Sequence, residues 1–176
     1  TNNPLMNVTI PYTPRKHQAF LHKELDKYRF SVLCCHRRFG KTILLINHLI
    51  KSCMTNKNHQ PRFAYIAPTY SQAKKIAWDY LKFYTKGLPQ TKYNETELRA
   101  DFFNGSRIQL LSAENPDSIR GIYLDGVVCD EASQINRELV DEVLRPALSD
   151  RKGWMTLCST PKGMNNIFYE LYLKAQ

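Results

Sequence analysis

The apolar run Ser31 to Cys35 leads directly into Cys35-His36-Arg37-Arg38-Phe39-Gly40-Lys41-Thr42, and a helical apolar pattern opens immediately afterwards. A strand, a tight basic turn and a helix start are where a phosphate-cradling loop belongs, because the first turn of a helix offers unpaired backbone amides to an anion. Such a loop needs amides aimed at the phosphates, a Gly that lets the chain pass close, a Lys reaching the outer phosphates and a hydroxyl ligand for magnesium. Gly40, Lys41 and Thr42 supply the last three. The first Gly of G-x-x-x-x-G-K-[ST] is missing, and Cys35 stands in its place. Alone, the octet fits two descriptions: a nucleoside triphosphate site, or a basic helix start that binds nothing.

The rest of the chain has the rhythm that such a loop requires. Strand-length apolar stretches, Ser31 to Cys35, Phe63 to Ala67, Arg107 to Ser112, Val127 to Cys129 and Trp154 to Cys158, alternate with helical patterns. That alternation predicts an α/β domain with a mostly parallel central sheet flanked by helices. The helix from Lys41 to about Met54 is apolar over most of its surface, as expected of a covered helix. Ala73, Ile76, Ala77, Tyr80, Leu81 and Tyr84 form one apolar stripe, which predicts an amphipathic helix packed on the sheet. Asn136 is placed to cap a helix carrying Leu139, Val140, Val143 and Leu144, with Pro146 ending or kinking it. A last helix runs through Ile167, Phe168, Leu171 and Tyr172. Glu97 to Phe103, Asn104-Gly105 and Ser106 to Leu111 read as a β-hairpin insertion with an Asn-Gly turn.

Size and charge narrow the function. A chain of 176 residues, 43% hydrophobic, holds one domain with a sizeable core and is too short for two full-sized ones. The formal net charge of +9 points to a polyanionic partner such as nucleic acid, although many basic proteins have none. No apolar run approaches the roughly 20 residues of a bilayer span, so no membrane partner is expected and an intracellular, soluble protein is. The five cysteines lack metal-ligand spacing and read as reduced, buried thiols.

A triphosphate loop needs a second element, and Gly126-Val127-Val128-Cys129-Asp130-Glu131 provides it. Asp130 would hold magnesium through its waters and Glu131 would act as general base or water-orienting group. Taken alone, Asp-Glu at a strand end is as well read as a cap for the next helix. A third strand ends in Cys158-Ser159-Thr160-Pro161, two hydroxyls at a tip able to sense the outer phosphate or simply to form the turn. Gln18 is a candidate for pairing with an adenine edge, or an ordinary surface Gln. Arg120 is a candidate for reaching transferred phosphate oxygens in a neighbouring subunit, or for a salt bridge to Asp117 or Asp125. Arg37 and Arg38 either clamp phosphates or point to solvent and DNA. Lys74, Lys75 and the Arg15-Lys16 pair are candidate DNA contacts, each also readable as a solvated face.

With these pieces in order, the chain resembles the ATPase domain of the large terminase subunit of tailed bacteriophages, the motor that drives DNA into preformed capsids. The resemblance spans nearly the whole chain. It rests on His36-Arg37-Arg38-Phe39-Gly40-Lys41-Thr42, on Ala67-Pro68-Thr69-Tyr70-Ser71-Gln72-Ala73 with Trp78 following, and on Asn115-Pro116-Asp117-Ser118-Ile119-Arg120-Gly121. It continues through Val127-Val128-Cys129-Asp130-Glu131-Ala132 and Ser159-Thr160-Pro161-Lys162-Gly163, with Phe168-Tyr169 beyond. A non-Gly first loop position is a habit of that family.

The resemblance implies a RecA-like P-loop ATPase fold of the ASCE type, with ATP and magnesium as ligands. Lys41, Thr42, Asp130, Glu131 and the Ser159-Thr160 pair match phosphate, magnesium, catalytic and coupling positions, Gln18 the adenine contact, and Arg120 an arginine donated between subunits. It also implies double-stranded DNA, a portal protein and a small terminase subunit as partners, and a ring of identical subunits that are monomeric in isolation. The setting would be the host cytoplasm, transiently at the procapsid portal. Residues 1–176 are expected to be an N-terminal ATPase fragment without lid or nuclease domain, and no nuclease activity is expected of it. The alternatives are a DEAD-like helicase core, which would carry a second RecA-like domain, and a non-catalytic DNA- or portal-docking module.

Overall fold

The computed structural model describes residues 8–161. The expected last helix, and Lys162, Gly163, Phe168 and Tyr169, lie outside the described residues. Among the described residues a single sheet runs in the order β1-β7-β6-β2-β5-β4-β3. Its strands are β1 (Phe30–Cys34), β2 (Arg62–Ala67), β3 (Lys92–Asn94), β4 (Arg99–Asp101), β5 (Arg107–Ser112), β6 (Gly126–Cys129) and β7 (Trp154–Ser159). All five expected strands are present, and β1, β7, β6, β2 and β5 pair in parallel.

The central strands β2, β6 and β7 are buried along almost their whole length, because helices or ordered chain cover both faces. On one face, α2 (Lys41–Thr55) packs with the rod formed by α3 (Tyr70–Gln72), a π-helical turn (Ala73–Ala77) and α4 (Trp78–Thr85). Leu45, Ile46, Leu49 and Ile50 of α2 meet Ala73, Ala77, Trp78 and Leu81 there. On the other face, Leu139, Val140, Val143, Leu144 and Leu148 meet Val127, Cys129, Met155 and Leu157. The helix that supplies the first set begins where expected, since Asn136 Oδ1 accepts the Glu138 N–H at 3.0 Å. It does not end at Pro146. A π-helical stretch (Leu139–Leu144) leads into α5 (Arg145–Ser149), and the widened turn accommodates a residue that lacks an N–H.

The hairpin differs from its expected form. β4 pairs antiparallel with β5 from Asp101 opposite Arg107, and β5 is at once a hairpin strand and a parallel member of the main sheet. The inserted antiparallel unit therefore widens the sheet at its edge, and β3, unforeseen, adds a further edge strand. Asn104-Gly105 is not a two-residue turn. The Phe102 N–H donates to the Ser106 carbonyl and the Gly105 N–H to the Phe102 carbonyl, with Gly105 at φ +83°, a longer turn closed by a left-handed residue.

Because the five parallel strands point the same way, the segments after β1, β2, β6 and β7 emerge along one rim. Ligands of open α/β sheets bind outside such carboxyl ends.

Candidate active site

The loop after β1 stays on the sheet for one residue longer than the strand. The Cys35 N–H donates to the Ser159 carbonyl at 2.9 Å, so the position of the missing Gly is a buried continuation of the β1–β7 ladder. A thiol is small enough to pack there, beside the buried Cys158. Arg38 and Gly40 both take positive φ, +66° and +80°, which folds the loop back over the start of α2. Gly40 is the N-cap of that helix, and a Cβ there would lie 2.6 Å from Arg15 Nη2 and 2.8 Å from Gln18 Nε2. The conformation favours Gly, and a Cβ would push aside the two side-chain ends that grip the loop.

These two close neighbours hold the loop from behind. Arg15 donates through Nη2 to the Phe39 carbonyl, and Gln18 donates through Nε2 to the Gly40 carbonyl at 3.3 Å. The Gln18 Oε1 accepts the Arg15 N–H at 2.9 Å, so the side chain that caps the start of α1 (Lys16–Leu25) also grips the loop. Arg15, read from sequence as a DNA candidate, faces the loop. Phe39 turns away from the cleft, its ring 4.5 Å from that of His17.

In front of the loop, a cleft of about 400 Å³ is lined by Arg37, Arg38, Lys41, Thr42, Asp130, Glu131 and Thr160, with Tyr65, Gln72 and Ile76 among the further walls. The ammonium of Lys41 sits between the two acids, 3.6 Å from Asp130 Oδ1 and hydrogen-bonded to Glu131 Oε1. Thr42 Oγ1 donates to Asp130 Oδ2 at 2.8 Å. Glu131 leaves β6 with φ 48° and ψ 46°, a left-handed conformation uncommon for Glu that lifts its carboxylate out of the strand direction and over the loop. The expected convergence of Lys41 with the acids at 130 and 131 is therefore present.

The hydroxyl pair after β7 divides its work. Thr160 lines the cleft, whereas Ser159 Oγ donates to Ser133 Oγ at 2.9 Å, tying the third strand tip to the turn just after Glu131. Arg120 lies elsewhere. It is exposed, 3.4 Å from Asp117, and does not line this cleft. Its other expected partner, Asp125, is buried at the start of β6, where it accepts from Asn58 and from the Arg62 N–H. Lys74 and Lys75 are exposed on the π-helical turn near the cleft mouth. Sequence reading missed Arg15 as a loop clamp, Ser133 as partner of Ser159, and Tyr65, which donates to Asp130 Oδ2 at 2.6 Å. Only a Tyr inside a run of apolar strand residues hinted at the last.

The donor set fits magnesium. Among the described residues no group of three or more His, Cys, Asp or Glu is placed to hold a metal ion. One hydroxyl and one carboxylate suit a hard cation that keeps waters and takes phosphate oxygens. Burial suits the thiols to the reduced state expected of them: four of the five are buried, with Cys34 exposed, and Cys129 is pushed up to about 12 by desolvation. Among the described residues no helix is long and apolar enough to cross a membrane.

A mostly parallel sheet that brings a Gly-Lys-Thr loop, an Asp-Glu tip and a hydroxyl-bearing third tip to one cleft defines a RecA-like P-loop domain. The family model described as terminase large subunit, T4likevirus-type, N-terminal, matches residues 36–175, and the chain belongs to that family. It is 30% identical over 183 residues to the large terminase subunit of Thermus virus P23-45, and 30% identical over 167 residues to that of Escherichia phage T5. The alignments take in 93% and 91% of this chain and 37% of each relative, so the chain spans little more than a third of their length. The large terminase ATPase domain of Thermus phage P74-26 superposes with a TM-score of 0.78 at 28% identity, over 93% of this chain and 71% of that one. The large terminase of bacteriophage HK97 shares the fold, with a TM-score of 0.74 at 14% identity, over 94% of this chain and 37% of that one. Membership of this family sets the helicase alternative aside.

Proposed function

We propose that this domain is the magnesium-dependent ATPase of a viral DNA-packaging motor, coupling ATP hydrolysis to movement of double-stranded DNA into a procapsid. The observation that carries the reading is the meeting of Lys41 and Thr42 with Asp130 and Glu131 in one cleft. That intact set favours an enzyme over a docking module.

Each side chain then has a task. The α2 amides and Lys41 bind the phosphates, and Arg37 and Arg38 add charge at the cleft wall. Thr42 and Asp130 hold magnesium, which when bound draws charge from the phosphate oxygens. Glu131 takes a proton from, or orients, the attacking water; the phosphates compete for its Lys41 partner and so release its carboxylate for that role. Thr160 faces the outer phosphate, and the Ser159–Ser133 bond carries its displacement to the turn beside Glu131. Gln18, 3% exposed behind the loop and outside the cleft lining, serves the site by holding the Gly40 carbonyl; its amide keeps one N–H and one lone pair, the groups an adenine edge would need. Arg120, exposed and away from its own cleft, serves the cleft of a neighbouring copy in a ring. The portal and a small terminase subunit are the expected companions of that ring, in the cytoplasm of the host.

The test is steady-state ATP turnover with magnesium. Glu131→Ala should lower kcat by about 10² to 10⁴ while ADP still binds. Turnover equal to that of the parent would remove Glu131 from the reaction and the proposal with it.

A further inference from the structure

Asp130 has to present one oxygen in a fixed direction, and a side chain one strand away holds it. Tyr65 lies in β2 opposite Val128 of β6, and the Asp130 N–H donates to the Ile66 carbonyl at 2.9 Å, so the two strand tips are tied at this level. The phenol is 4% exposed and donates to Asp130 Oδ2 at 2.6 Å. Thr42 Oγ1 donates to the same oxygen at 2.8 Å. Two donors occupy both lone pairs of Oδ2. Oδ1 accepts the Glu131 N–H at 2.9 Å and faces the Lys41 ammonium at 3.6 Å, beyond hydrogen-bond reach, so it retains one lone pair. Having given its hydrogen to Asp130, the Thr42 hydroxyl keeps its lone pairs for a cation. A Phe in place of Tyr65 would fill nearly the same space and remove one of the two donors to Oδ2, loosening the carboxylate about its Cβ–Cγ bond while Thr42 and the Glu131 N–H still hold it.

We infer that Tyr65 is a positioning residue of the magnesium site, locking Asp130 so that Oδ1 is the oxygen free for the metal. The inference rests on the ATPase reading above and adds a residue to it. Outer partners of metal ligands commonly carry a tenfold to hundredfold share of metal affinity.

Tyr65→Phe tests it by calorimetric ADP binding with and without magnesium, alongside thermal melting and turnover. The expected result is unchanged ADP affinity without magnesium, a Tm close to that of the parent, and an increment in ADP affinity from magnesium that is about tenfold smaller. Turnover should fall and recover in part at high magnesium. In an Asp130→Ala background the same substitution should cause no further loss of the magnesium increment. An unchanged increment in Tyr65→Phe would overturn the inference. So would equal losses with and without magnesium accompanied by a lowered Tm, since the hydroxyl would then serve packing alone. A parent protein whose ADP binding is indifferent to magnesium would instead bring down the ATPase reading itself.

Discussion

Gly40 is the residue at which loop chemistry and folding meet. Its φ of +80° and the nearness of Arg15 and Gln18 mean that Gly40→Ala adds strain and a clash at the same atom. We expect a stability loss of about 1–3 kcal/mol, read by urea denaturation, and a larger loss of nucleotide affinity as the loop shifts. A variant that melts like the parent and binds ADP equally well would show that the loop is not held from behind. The identity of Gly40, Lys41 and Thr42 was legible in the sequence because their chemistry is local. Tyr65 and Ser133 were not, because the partner of each lies on a different strand tip, 65 and 26 positions away.

Among the elements, two buried polar clusters are the most exposed to test. Asp125 begins β6 and accepts from Asn58 at 2.6 Å and from the Arg62 N–H at 2.8 Å, with Arg151 at 3.6 Å. It joins the entry of β6 to that of β2, and Asp125→Ala takes the buried acceptor away from all three donors. A loss of about 3 kcal/mol or more is expected in chemical denaturation, with the cleft residues themselves untouched.

The second cluster joins α1 to α2. His22 Nδ1 and His48 Nδ1 are 3.0 Å apart, and Tyr12 shares a hydrogen bond with His22 Nε2 at 2.9 Å. Burial, then Lys51, lowers His22 to about 4, and burial, then its partner His22, lowers His48 to about 4. Both are thus neutral in the fold, while the unfolded chain binds protons near the ordinary value of 6.5. Stability is full above that value and is lost as pH falls from about 6.5 toward 4. Melting temperature followed across this window should drop, and replacement of His48 by Leu should flatten the drop. The sequence reading announced α2 as a covered helix but not α1, and which histidines face one another depends on the crossing of the two helices.

At the scale of the whole molecule, the separation of Arg120 from its own cleft has a kinetic consequence. If a neighbouring copy supplies the guanidinium, specific ATPase activity rises steeply with protein concentration, by up to about 10³ to 10⁵ at full assembly, and Arg120→Ala abolishes the rise. Concentration-independent activity would count against donation between subunits. The architecture was largely legible: alternating apolar runs and helical patterns give a parallel α/β sheet because each strand must be covered on both faces. β3 was not, being three residues of edge strand, Lys92–Asn94, with little apolar signal.

What the sequence determined by itself was the order of parts. Phosphate loop, acid strand and hydroxyl tip each follow an apolar strand, and local chemistry names them one by one. What only the tertiary structure decided was their mutual direction. The parallel register of β1, β7, β6 and β2 sets which strand tips share a rim. The left-handed turn at Glu131 and the Tyr65 phenol set where two carboxylates point. Direction is a property of contacts between distant segments, and no reading of neighbours along the chain contains it.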